Sequence, residues 1–160
     1  MHSKDSETFQ KAKNYAFLLL KFRLRSEKEL YLRLKKKGFP EEVIKQTLIF
    51  LKDKNFIDDN LFAKSWIESR LKRPLGLRRI KEELKLKGLD KEIIDAKIGE
   101  AKKNYCEEEY VRRIAQDKFD KLKGIEIYRA KRRVYALLLR RGFSPEVVID
   151  VVNELCRHIS

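Results

Sequence analysis

Three glycines, Gly38, Gly88 and Gly142, punctuate the 160 residues at intervals of 50 and 54, and the positions around them match one by one. Four residues before each glycine stand Leu34, Leu84 and Leu138, and eight before stand Leu30, Ile80 and Val134. Directly after come Phe39, Leu89 and Phe143. Five and six residues on lie Val43 and Ile44, Ile93 and Ile94, Val147 and Val148. Ten on lie Leu48, Ile98 and Val152, and thirteen on lie Leu51, Ala101 and Leu155. Apolar residues at these spacings trace one face of a helix on each side of the glycine, which itself suits a left-handed helix stop. Any helical bundle explains the apolar spacing, but not the matched stops with a large apolar residue after each. A period of about 50 residues is that of a three-helix repeat. The expected fold is therefore all-α, with three tandem three-helix repeats forming a short, elongated, curved α-solenoid. The repeats are placed at 15–57, 58–104 and 105–160, and residues 1–14 read as a polar N-terminal tail or a helix start.

Local signals agree with this grammar. Ala16, Leu19, Leu20 and Leu24 predict a first apolar helix, and Ser26 with Glu29 makes a capping box for the next. Pro40 suits the first turn of a third helix. In the central repeat, Asp58 or Asp59 caps a helix whose inward stripe is Leu61, Phe62, Trp66 and Ile67. That helix ends at the Pro74-Leu75-Gly76 turn, and the following one turns Leu77, Ile80 and Leu84 inward. Trp66 shares the register of Phe62 and Ile67, so it reads as core rather than as a stacking platform. Tyr31 and Tyr135 occupy equivalent positions, where packing between repeats is the default.

Charge is distributed unevenly over the repeats. The chain carries 39 Lys and Arg against 25 Asp and Glu, a net +14. Segments 21–37 and 70–87 each hold eight cations against two carboxylates, and 121–141 holds eight against one. These three stretches exceed the charge of the whole chain, and each covers the middle helix of a repeat and the turn before it. Stacked repeats would place these helices side by side as a cationic band suited to a polyanion. Lys37, Lys87 and Arg141 directly precede the glycines, where a cation favours the negative end of the helix dipole. Lys28, Arg78 and Arg132, ten before the glycines, lie on the other side of the helix near its N-terminus, where the dipole disfavours them. A cost accepted three times at one position points to an external anion. Arg78, Lys81 and Lys85 share one face, with Arg70 and Arg73 upstream. The candidate partner-binding or nucleic-acid-binding residues are Lys28, Lys35, Arg70, Arg73, Arg78, Arg79, Lys81, Lys85, Arg132 and Arg133.

Other classes find little support. The two cysteines, Cys106 and Cys156, form no CxxC pair, and His2 and His158 stand at the chain ends. No metal site, cofactor or disulfide framework is expected, and the chain reads as reduced, cytoplasmic and monomeric. No apolar run suits a signal peptide or a membrane span. Carboxylate pairs such as Asp58 with Asp59 and Glu82 with Glu83 serve as caps and partners of lysines. Phosphate-loop, HExxH and nucleophile-elbow motifs are missing, so an enzyme is not expected.

FAKSWIESR (Phe62 to Arg70) followed by GLRRIKEELKLKGL (Gly76 to Leu89) resembles the central repeat of the RecX regulatory proteins, bacterial modulators of the RecA recombinase. LRSEKELYLRLKKKGFPEEVI (Leu24 to Ile44) and the Phe56-Ile57-Asp58-Asp59 junction are similar to that family's first repeat. The resemblance is clear over residues 15–100 and looser in the third repeat, where Leu139 stands at the position of Lys35 and Lys85. It implies a non-enzymatic protein that lies in the groove of the RecA–single-stranded DNA filament. There it would block strand exchange, slow filament growth and restrain RecA-stimulated cleavage of the SOS repressor. The matching residues, Phe62, Ala63, Trp66, Ile67, Gly76, Ile80, Leu84 and Gly88, are chiefly structural. A second reading from the charge alone is a direct binder of single- or double-stranded DNA with its middle helices on phosphates.

Overall fold

Three repeats of three helices require nine helices with stops at the glycines. The computed structural model of the chain describes residues 3–159 and holds nine helices and no strand among them. They are α1 (Ser3–Phe22), α2 (Glu27–Lys37), α3 (Glu41–Asp53), α4 (Asp59–Leu71), α5 (Leu77–Leu86), α6 (Lys91–Lys102), α7 (Glu107–Asp120), α8 (Ile127–Arg140) and α9 (Pro145–Ile159). Met1 and His2 of the expected polar tail, and Ser160, lie outside the described residues. None of the described helices is long and apolar enough to cross a membrane. The chain divides into two compact units, one running to Trp66 with Leu84–Lys97 added, the other comprising Ile67–Glu83 and the residues from Ile98 onward. The division passes through α4, α5 and α6.

The first unit is built on α1, α2 and α3. Ala12, Ala16 and Leu19 meet Leu30 and Leu34 of α2 and Val43, Ile44, Leu48 and Leu51 of α3 in one buried cluster. Two alanines on α1 allow a close approach of backbones, and Phe9, Phe17, Phe50 and Phe56 seal the edge, with the Phe17 and Phe56 ring centres 4.8 Å apart. The capping box forms as expected: Ser26 Oγ accepts from the Glu29 N–H at 3.2 Å, and the Glu29 carboxylate accepts from the Ser26 N–H at 3.2 Å. At Gly38 the backbone takes φ 95°, and the Phe39 N–H reaches back to the Leu34 carbonyl at 3.3 Å.

Two expectations shift here. α1 ends at Phe22, so Leu24 falls in the connection and stays half exposed instead of joining the apolar face. Pro40 occupies the N-cap position just ahead of Glu41, one residue earlier than the first turn.

At the start of α4 the two aspartates divide the work. Asp58 caps the helix by accepting from the Asn60 N–H at 2.8 Å, while Asp59 accepts from the Glu27 N–H at 3.0 Å. The inward stripe is Phe62, Ala63 and Ile67, and Leu61, expected among them, is 57 % exposed. One residue turns a helix by 100°, and burial of Ala63 rotates Leu61 out. Trp66 is half-buried, correcting its reading as full core. Its ring stacks on Phe62 at 5.7 Å and carries the Lys87 ammonium 4.8 Å from its centre. Trp66→Ala should accordingly cost about 2 kcal/mol, below the ~3–5 kcal/mol of a fully buried ring, as measured by urea unfolding.

The second unit centres on α7, α8 and α9, where Val111, Ala115, Val134, Leu138, Phe143, Val148 and Val152 form the innermost layer. Arg112 of α7 grips Glu154 of α9 at 2.8 Å, and Glu107 caps α9 by accepting from the Ser144 N–H at 2.9 Å. The turn between α4 and α5 docks at the end of α8. There the Gly76 N–H donates to the Arg141 carbonyl at 2.8 Å, and the Tyr105 hydroxyl donates to the Leu75 carbonyl at 3.2 Å.

Candidate basic interface

Middle helices carry their apolar residues at i, i+3 and i+7, leaving the remaining surface to cations. On α5, Leu77, Ile80 and Leu84 are buried, while Arg78, Arg79 and Lys85 are exposed and Lys81 is half-buried. On α2, Leu30 and Leu34 are buried and Lys28 and Lys35 exposed; on α8, Val134 and Leu138 are buried and Arg132 and Arg133 exposed. Arg73 is exposed in the turn before α5, and Arg70 is half-buried at the end of α4. Eight of the ten candidate cations thus stand at the surface.

The structure separates these cations by what else they touch. Arg70 and Arg79 converge on Glu83. Arg70 Nε donates to Glu83 Oε2 at 2.7 Å, its Nη2 to Oε1, and Arg79 Nε lies 3.5 Å from the same carboxylate. The paired form raises the Arg70 guanidinium above its ordinary value, and the contact joins the end of α4 to α5 across thirteen residues. Sequence spacing gives no sign of it, because the pair is neither i,i+3 nor i,i+4. Lys35 lies over the Tyr31 ring with its ammonium 5.5 Å from the centre, and the Tyr31 hydroxyl donates to Glu41 at 3.1 Å. Tyr31 therefore packs inside its own repeat. The Lys28 stem crosses Gly88, where an added Cβ would fall 2.0 Å from Lys28 Cδ.

Of the three cations ten before the glycines, Lys28 and Arg78 are the second residues of α2 and α5, in the first turn where the dipole opposes them. Arg132 departs from that expectation. α8 begins at Ile127, five residues earlier, so Arg132 sits beyond the first turn and escapes the penalty. Its position in the repeat is shared; its dipole cost is not.

One anion in the first unit was not foreseen beyond its capping role. Glu29 accepts from Arg23 Nη2 at 2.9 Å and from Lys87 Nζ at 2.7 Å, besides the Ser26 N–H. Burial raises its pKa, but the bonds from Arg23, Lys87 and Ser26 outweigh burial and bring it down to about 2. Lys87 is thereby structural, held by Glu29 and by Trp66. The neighbouring Ser26 hydroxyl donates to the Lys87 carbonyl at 2.7 Å and satisfies the end of α5.

Comparison with known proteins agrees with this architecture. The first, second and third three-helix domains described for RecX match residues 12–51, 58–98 and 107–152. A regulatory protein RecX of Clostridium beijerinckii is 33% identical over 153 residues, covering 94% of this chain and 71% of the relative. Another, from a Mycobacterium species (strain KMS), is 33% identical over 149 residues, covering 90% and 81%. The crystal structure of RecX from Lactobacillus salivarius superposes with a TM-score of 0.81 at 23% identity, covering 94% of this chain and 97% of that one.

Proposed function

Since the chain belongs to the RecX family, we propose that it is a non-enzymatic regulator that binds the RecA–single-stranded DNA filament. In this reading it restrains strand exchange, filament growth and RecA-stimulated repressor cleavage, and so modulates recombination, DNA repair and the SOS response in the cytoplasm. The observation that carries the reading is the repeated exposed cation ten residues before each helix-stop glycine: Lys28, Arg78 and Arg132. Where the dipole opposes the charge, at Lys28 and Arg78, an external anion is the compensation the fold itself does not supply. Lys35, Arg73, Lys85 and Arg133 extend the exposed positive surface. Arg70 and Arg79 mainly hold Glu83 and support α5, and Lys81 is the half-buried member of the α5 face.

Reversing Arg78, Lys85 and Arg132 to Glu leaves Glu83 its two arginines and should weaken filament binding at least tenfold, with an unchanged melting temperature. RecA ATPase and strand-exchange assays read the result. Full inhibition by the triple variant would refute the interface. A salt series on filament and on bare single-stranded DNA separates this from binding through phosphates alone. Phosphate binding by itself loses about 0.7 log units per contact for each tenfold rise in salt and needs no RecA. A regulator of the filament binds it far more tightly than bare DNA at the same salt.

A further inference from the structure

The second unit contains a cleft of about 570 Å³ that none of the preceding roles uses, walled by the α4–α5 turn, one side of α7 and the end of α8. Six cations border it: Lys72 and Arg73 from the turn, Arg113, Lys118 and Lys121 from α7, and Arg141 after α8. Asp117 is the one carboxylate in the lining, and among the described residues none of the six cations has a carboxylate within 4.0 Å. Elsewhere the fold spends carboxylates on its cations, as at Glu29, Glu83 and Glu154. Gathering six positive groups around a concavity without that relief costs Coulomb energy that an anionic occupant would return.

The wall also offers a flat surface. Tyr105 and Tyr110 stack with ring centres 5.1 Å apart, and the Arg113 guanidinium lies 5.4 Å over the Tyr110 ring. The Tyr105 hydroxyl bond to the Leu75 carbonyl fixes this stack to the turn. The result is a rigid aromatic column ending in a planar guanidinium at the edge of a cationic groove. Planar cations and aromatic rings stack nucleobases while neighbouring lysines take the phosphates. An acidic peptide would use the charge but has no need of the column.

We propose that this cleft binds a short run of single-stranded nucleic acid, its phosphates on Lys118, Lys121 and Lys72 and one base on the Arg113–Tyr110 stack. The site is distinct from the middle-helix surface and does not rest on the RecA reading, because its test contains no RecA.

The test measures fluorescence anisotropy of the full chain with a labelled oligothymidylate, its ribonucleotide counterpart and a polyglutamate peptide of equal charge, over a salt series. Arg113→Glu with Lys121→Glu should weaken oligothymidylate binding at least tenfold and lower the salt slope by about 1.4, two contacts at about 0.7 each. Lys45→Glu with Lys64→Glu, two exposed cations in the first unit, makes the same change in net charge and should cost less than threefold. Arg113→Lys keeps the charge, loses the plane, and should weaken the oligonucleotide about threefold while leaving polyglutamate unchanged. Equal losses in the cleft and control pairs, or no loss in the cleft pair, overturn the proposal. Polyglutamate binding that matches the oligonucleotide and ignores Arg113→Lys overturns it in favour of an acidic peptide. Ribonucleotide and deoxyribonucleotide arms decide which strand is preferred, and selective binding of either supports the site.

Discussion

Gly142→Ala is expected to destabilise the protein by about 3–4 kcal/mol, while the equivalent Gly38→Ala costs only about 1 kcal/mol. Both glycines end a middle helix with φ in the left-handed region, 86° and 95°, so both substitutions incur the penalty of a side chain there. The surroundings make the difference. Nothing lies within 4 Å of a Cβ built at Gly38, whereas at Gly142 it would sit 2.5 Å from the Arg79 backbone nitrogen and 2.9 Å from its Cα. The opposing Gly76 is equally constrained: its Cβ would fall 2.1 Å from the Gly142 carbonyl oxygen. Backbone cannot swing aside as a lysine stem can, so the start of α5 would have to leave the end of α8 and break the Gly76–Arg141 bond. Urea unfolding of the two variants checks the ranking, and near-equal losses would show that left-handed strain alone decides.

Glu29→Gln should cost about 3 kcal/mol at neutral pH, the next largest single effect. The carboxylate is only 15 % exposed and meets Arg23, Lys87 and the Ser26 N–H together, so replacing it with a neutral amide leaves two cations short of their partner. The same site gives the protein an acid dependence of definite sign. A folded pKa of about 2 lies below the ordinary 4.5, so the folded state binds fewer protons than the unfolded state between these values. Its stabilisation is fully present above pH 4.5 and is lost as the pH falls toward 2. Urea midpoints from pH 6 to 2 should fall steeply for the native chain and less for Glu29→Gln. Parallel curves would remove Glu29 from the explanation.

The helix stops and the layers of the core were legible in the sequence because both depend on local geometry. Gly38, Gly88 and Gly142 all take positive φ, and the apolar positions counted from them, Leu34, Leu84 and Leu138 among them, are buried in every repeat. The capping box was legible for the same reason, being closed within four residues. What escaped depends on partners distant in sequence or on a small rotation. Leu61 and Trp66 looked inward because hydrophobicity marks an apolar sector, not its centre, and Ala63 shifted that centre. Glu83 is bound to Arg70 by the meeting of a helix end with the next helix, which no fixed offset encodes. The cleft cations Arg113, Lys118 and Lys121 sit in an α7 stretch that also holds Asp117 and Asp120. A charge count over the segment therefore averages away a face that the helix keeps basic.

The division of the chain through α4, α5 and α6 also limits how such a protein can be shortened. Repetition along the sequence suggests three bricks that a cut between residues 104 and 105 would separate cleanly. Yet Ile67–Glu83 belongs with the C-terminal unit, bonded to Arg141 and to Tyr105 through its turn. A polypeptide ending at residue 104 would carry an orphaned helical hairpin, and limited proteolysis should trim it back toward Trp66. The heritable module and the cooperative block are different pieces of this chain, so a frameshift or nonsense lesson late in its gene would damage more than the repeat in which it falls.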